Sequence, residues 1–207
     1  SLIGEGSRAF IGLREQKIFE YVASQNEELS IHLLRPIVRN NANDVTFDFA
    51  ELYSLPSKLS RLTEFKNSVL PKLTPDERIL FAKALLSRFA DLHDLRVAHR
   101  DVGEHCLWLE RPARVVMTGF PAAYYPSLQT VTGFSHEIKV EGSLLPEDSE
   151  FVEESTPFRR DVFLLGFASY QILYGEKPPK VKRTYQWSKR ADDPYEGILD
   201  EVIKSAL

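Results

Sequence analysis

The chain has 207 residues, 43% hydrophobic and 27% charged, with a net charge of −4 and one cysteine. That length and balance fit one globular domain, or one and a part, with a core large enough to need no disulfide staples. The lone cysteine excludes an intrachain disulfide framework and fits a reducing, cytoplasmic setting; the charge supplies no overall basic field for nucleic acid; and no apolar run approaches the ~18 residues that span a membrane.

Residues 12–26, GLREQKIFEYVASQN, place Leu13, Ile18, Phe19 and Val22 near helical spacing and predict a helix. The preceding GEGSRAF, 4–10, reads as a flexible entry loop whose G-x-G is a weak phosphate-loop signal. Next, HLLRPIVRNNANDVTFDFAEL has two apolar segments flanking the turn-rich NNAND, which predicts a hairpin. Val45, Phe47 and Phe49 alternate with polar residues, so one face of its second strand is expected to be buried. In LPSKLSRLTEF, Ser57 is a candidate helix cap.

LTPDERILFAKALLSRFADLHDL gives the strongest helical signal. Thr74, Pro75 and Glu77 form a capping-box start, and Ile79, Leu80, Ala84, Leu85 and Phe89 form an apolar face. A polar stretch follows, VAHRDVGEHC, 97–106, and then ARVVMTGF reads as a short strand. Residues 121–157 form a long, weakly periodic segment of the kind that is functional or mobile. RRDVFLLGFASYQILYG returns to a helix that Gly175 ends. The basic, aromatic KVKRTYQWSKR reads as a solvated loop, with an acidic partner or nucleic acid as the alternative. The chain lacks an initial Met and stops inside a helical pattern, which leads us to expect a fragment of a longer protein.

His99, Asp101, His105 and Cys106 are all metal-ligand types, but their spacing matches no zinc pattern. On residue types alone the stretch is a polar loop with one packed histidine. Its order among its neighbours adds a second meaning. His99-Arg100-Asp101 after a long helix, Leu145-Pro146-Glu147 beyond a long loop, and Asp161-Val162-Phe163 with Gly166 opening an apolar helix together resemble the C-terminal lobe of the protein-kinase fold. The hairpin ending VTFDFAEL is similar to the strand that leads to the kinase hinge, and Arg14-Glu15 is similar to the start of the regulatory helix.

The resemblance implies an α+β, predominantly α-helical fold: a partial N-terminal lobe over 1–52 and a C-terminal lobe over 53–207, truncated at its end. It also implies roles. Asp101 is the base that accepts a substrate hydroxyl's proton. His99 packs beneath the site, and Arg100 meets an acidic or phosphorylated loop. Glu15 belongs to the nucleotide side, although no lysine precedes Lys17 to pair with it. Asp161 holds the catalytic-loop backbone, and Glu147 pairs with an arginine beyond Leu207.

The two metal-binding positions of the family are altered. Cys106 stands where an asparagine is expected, and Thr118 stands where the aspartate of Asp-Phe-Gly is expected. A neutral thiol and a hydroxyl are poor replacements around hard Mg²⁺, which wants charged oxygen. Glu104 and Glu110 are nearby candidates to substitute. Gly103 replaces the lysine usual in Ser/Thr-specific members. Tyr124, Tyr125, Ser127, Thr130, Thr132 and Ser135 are candidate phosphate acceptors, with Arg100 as a partner, or solvent-facing hydroxyls.

Three readings follow. One is a pseudokinase acting as a regulatory or scaffolding module, with a protein partner or other domains of the same longer chain. The second is an active atypical kinase using ATP and Mg²⁺ with Asp101 as base. The third is a helical interaction module. The sequence is also similar in character to kinase-like modules of large bacterial multidomain proteins.

Overall fold

The computed structural model describes residues 5–35, 39–41, 44–46, 58–120, 122–126, 156–181, 184–185 and 193–195. Helix α1 (Glu5–Gln25) is followed by the short α2 (Glu27–Ser30), whose start is capped by the Asn26 side chain accepting from Leu29 N–H. Strands β1 (Arg39–Asn41) and β2 (Asp44–Thr46) form an antiparallel pair. Strand β3 (Ser60–Arg61) leads into α3 (Leu62–Ser68), a 3₁₀ turn (Leu70–Lys72) and α4 (Pro75–Asp94). Strands β4 (Leu107–Glu110) and β5 (Arg114–Met117) follow, then α5 (Thr156–Tyr174) and the pair β6 (Lys180–Val181) and β7 (Thr184–Tyr185). The fold is mixed α+β and mostly helical, with a three-stranded antiparallel sheet in the order β3-β4-β5.

Helix α4 forms where its capping box predicts. Thr74 Oγ1 accepts from Glu77 N–H, and the Glu77 carboxylate accepts from Thr74 N–H. Its buried face is Ile79, Phe81, Ala82, Leu85, Phe89 and Leu92. Leu80, expected on that face, is 52% exposed, because the stripe that continues to Phe89 and Leu92 runs through 81, 82 and 85 and turns 80 outward. Helix α5 contributes Leu164, Leu165, Ala168, Tyr170 and Ile172 to the same core. Arg78 ties these helices at one end, donating to Leu173 O and Leu70 O at 2.8 Å each. The first of these bonds satisfies a carbonyl in the last turn of α5, which the helix end leaves open. Gly175 ends α5 at φ +77°, a conformation that side-chain-bearing residues adopt at a cost.

Four local expectations are corrected. Helix α1 begins at Glu5, not near 12, so residues 5–10 of GEGSRAF are helical, and the long helix carries the cost of about 1 kcal/mol at Gly6. The expected hairpin is present as β1 paired with β2, but Asn40, Asn41 and Asp44 of its turn cluster lie in the strands, and His32 and Leu34 bond to β5, through His32 O to Met117 N–H (2.8 Å) and Leu34 N–H to Met117 O (3.1 Å). Helix α3 starts after Arg61, its cap residue, with no side-chain cap, because Ser60 and Arg61 pair with Leu109 and Trp108 of β4; Ser57 lies outside the described residues. Part of KVKRTYQWSKR is a strand pair, β6 with β7, and Tyr185 packs edge-on against Phe167 of α5 (4.9 Å between centroids). The apolar alternation at Phe47 and Phe49 lies outside the described residues.

Candidate functional site

The stretch 97–106 joins α4 to β4, and contacts from distant segments hold its backbone. Ala98 exchanges backbone bonds with Tyr124, N–H to O at 3.0 Å and O to N–H at 2.8 Å. Asp161, in the first turns of α5 and fully buried, accepts from His99 N–H at 2.7 Å and Arg100 N–H at 2.6 Å. His93, in the last turn of α4, places Nε2 3.0 Å from the same carboxylate. Arg160 Nε donates to Arg100 O at 2.6 Å. Two neighbouring residues of α5 thus hold both the backbone N–H and the backbone C=O of Arg100. Arg100 sits at φ 67°, a left-handed conformation costing roughly 1 kcal/mol for a residue with a side chain. Charge-assisted bonds of about 1.5–3 kcal/mol each outweigh that cost.

His99 is fully buried beneath this loop. Its Nδ1 accepts from Asp101 N–H at 3.2 Å, so Nε2 carries the hydrogen and donates to Thr118 O at 2.8 Å. That pattern fixes a neutral ring, and burial pushes its pKa below the ordinary histidine value in agreement. The ring also packs 4.5 Å from that of Phe120.

Asp101 is 7% exposed. One carboxylate oxygen lies 3.1 Å from Nε2 of His105, whose side chain is one-third exposed. Gly103 lies under the imidazole: a Cβ there would meet His105 Nδ1 at 3.0 Å and Cε1 at 3.1 Å. A side chain at 103 would therefore make the ring shift by a few tenths of an ångström from its place beside Asp101.

Cys106 and Thr118, the positions where the resemblance expects metal ligands, are adjacent and point into the protein. Cys106 Sγ accepts from Gly103 N–H at 3.2 Å and has Asp101 O at 3.5 Å and Gly103 O at 3.3 Å as acceptors for its hydrogen. Burial raises its pKa well above the ordinary thiol range, so the thiol stays protonated. Thr118 Oγ1 accepts from Trp108 Nε1 at 3.0 Å and donates to Cys106 O at 3.3 Å, and its backbone N–H donates to the same carbonyl at 3.0 Å. Trp108 is 7% exposed, clusters with Leu34, Leu59 and Val116, and carries the Arg61 guanidinium 4.9 Å over its ring. This donor set, a neutral thiol and a hydroxyl already bonded on both sides, does not fit Mg²⁺.

Glu15 reaches the residues just after Thr118: its carboxylate accepts from Gly119 N–H at 2.8 Å and Phe120 N–H at 2.6 Å. Its neighbour Arg14 is buried and donates to Ala123 O. Arg100 donates to Ala122 O at 3.2 Å. The structure thus brings together Glu15, His99, Arg100, Asp101, Cys106, Thr118 and Asp161. Glu147 lies outside the described residues.

Glu104 and Glu110 are engaged elsewhere. Glu104 pairs with Lys66 at 2.7 Å and accepts from Gln171, and Glu110 pairs with Arg114 at 3.1 Å. Among the described residues, no group of three or more His, Cys, Asp or Glu side chains is placed to hold a metal ion. Of the loop hydroxyls, Tyr125 is buried against Tyr21 (5.1 Å between centroids), so it is not solvent-facing. Ser127, Thr130, Thr132 and Ser135 lie outside the described residues.

Sequence reasoning missed His93, Arg160 and Trp108. For Trp108 a signal existed: it sits across the β4–β5 pair from Val116, two residues before Thr118, which brings its indole within reach of that side chain. His93 carries no comparable mark, since a histidine in the last turn of a helix is common for reasons of the helix dipole alone. No protein-family model matches this chain. Among the described residues no helix is long and apolar enough to cross a membrane.

Proposed function

We propose that the chain is a protein-kinase-like domain that has lost its metal grip, a pseudokinase acting as a regulatory or scaffolding module toward a protein partner or other domains of a longer chain. One observation carries the reading: the side chains at both expected metal positions are satisfied by inward hydrogen bonds, Cys106 within its own loop and Thr118 between Trp108 and Cys106 O. Phosphoryl transfer relies on metal charge to neutralise the phosphates, and these groups supply none. The loop frame around Asp101 meanwhile remains braced by Asp161. A braced loop without metal ligands is what a module retaining shape for recognition needs.

The braced Asp101 also favours a second reading, an active atypical kinase that transfers the ATP γ-phosphoryl group to protein hydroxyls with Asp101 as base. Titration calorimetry of the full chain with ATP, alone and with Mg²⁺ or Mn²⁺, separates the two. The pseudokinase reading expects no metal-dependent binding. Metal-dependent heat, followed by transfer that disappears in Asp101→Ala, would establish the second reading instead.

A further inference from the structure

We propose that His105 is a latch over Asp101, so that access to this carboxylate is set by the His105–Gly103 pair rather than by the loop backbone. Three observations converge. Asp101 is 7% exposed although its loop lies at the edge of the core, and the only side chain within hydrogen-bond reach of its carboxylate among the described residues is His105, at 3.1 Å. The imidazole is one-third exposed and has no other hydrogen-bond partner among the described residues, so a single bond holds it. The ring lies in the space that a side chain at 103 would fill, with Gly103 leaving just enough room.

Two neighbouring positions are therefore matched. Glycine at 103 admits the ring, and histidine at 105 uses the admission to cover the acid four residues before it. A hydroxyl or cationic group of a partner reaches Asp101 only by displacing the imidazole. Because the ring turns on its own side-chain torsions, it can leave without disturbing the Asp161 bonds that shape the loop. The meaning of that access for phosphotransfer rests on the kinase-like reading; the closure itself does not.

The test is carboxyl footprinting of the full chain with a carbodiimide and glycine ethyl ester, read residue by residue by mass spectrometry. Asp161, fully buried, serves as the internal gauge of an intact loop frame. In the unaltered protein Asp101 is expected to label about as slowly as Asp161. In His105→Ala it should label at least tenfold faster while Asp161 stays protected. Gly103→Ala should raise the labelling of Asp101 by a smaller factor with His105 present, because the added methyl meets the ring at 3.0–3.1 Å and shifts it by a few tenths of an ångström. Rapid labelling of Asp101 in the unaltered protein overturns the latch, and so does continued protection in His105→Ala. If Asp161 becomes reactive in one variant, the frame has opened there and the other variant decides. Opening in His105→Ala but not in Gly103→Ala overturns the part assigned to glycine. Metal-dependent nucleotide binding in the calorimeter would sink the proposed function and leave these labelling results unaffected, so the two failures are distinguishable.

Discussion

The Asp161 carboxylate and the Arg100 backbone N–H lie 2.6 Å apart across 61 residues of chain, and this bond helps hold Arg100 in a left-handed conformation. The other oxygen of Asp161 serves His99 N–H and His93. Asp161→Asn preserves shape but removes the charge and turns an amide N–H₂ toward groups that themselves donate. We expect a loss of about 2–4 kcal/mol, from charge-assisted bonds worth about 1.5–3 kcal/mol each. Urea denaturation should show a lower midpoint with an unchanged slope. A variant as stable as the parent would remove Asp161 from the account of the loop.

Thr118→Val tests the inward role of that hydroxyl. Valine matches the shape of threonine but leaves Trp108 Nε1 without its acceptor and Cys106 O with one fewer donor. An unsatisfied buried donor costs about 1–3 kcal/mol, and that is the expected destabilisation. Thr118→Ser, which keeps the oxygen, should recover most of the loss that comes from the hydrogen bonds. Equal stability of the valine and threonine proteins would mean that the Trp108 bond contributes nothing.

Cys106 should be inert toward thiol reagents in the folded state. It is fully buried, and burial raises its pKa, so both access and thiolate are lacking. Reaction with Ellman's reagent is expected to run at the rate of loop opening, and an opening cost of about 4 kcal/mol corresponds to about a thousandfold protection relative to the unfolded chain. Labelling at the rate of a free thiol under native conditions would contradict the placement of the sulfur inside the loop.

Acidification should weaken the fold through the buried His99 and the half-buried His32. Burial is the main cause that lowers the pKa of both His99 and His32 below the ordinary value of 6.5. Below that value the unfolded chain takes up protons that the folded chain refuses, so stability rises with pH in this range. The contribution is therefore complete above about pH 7 and is lost as pH falls from about 6.5 toward the lowered folded values. Thermal melts between about pH 7.5 and pH 5 should show a falling Tm, and His99→Gln should flatten the slope. A Tm that holds steady over this range in the parent protein would contradict the neutral, buried assignment.

Legibility followed the range of the interactions. The start of α4 was readable because a capping box is written within four residues, and the end of α5 because Gly175 marks it. The beginning of α1 is hidden because the G-x-G at 4–6 reads as a loop, and the start of α3 because Ser60 and Arg61 answer to β4, 47 or more positions away. Leu80 was misassigned by a single position on the helical wheel. At the site, the order of short motifs along the chain, not their residue types, put 99, 100, 101 and 161 in one place, and they do meet. That His105 folds over Gly103 to reach Asp101, and that Trp108 engages Thr118, depends on side-chain directions that a linear pattern does not carry.

The braces of this loop share one property. Asp161 bonds the backbone of His99 and Arg100, and Glu15 bonds the backbone of Gly119 and Phe120. Each contact needs a particular acid at one end and only a peptide N–H at the other. Substitutions at the receiving positions therefore leave the brace in place so long as the backbone conformation is tolerated, whereas a change of the acid breaks it at once. An architecture secured this way lets the side chains at the receiving positions vary while the backbone stays fixed, and Cys106 and Thr118 lie beside backbone held in this manner.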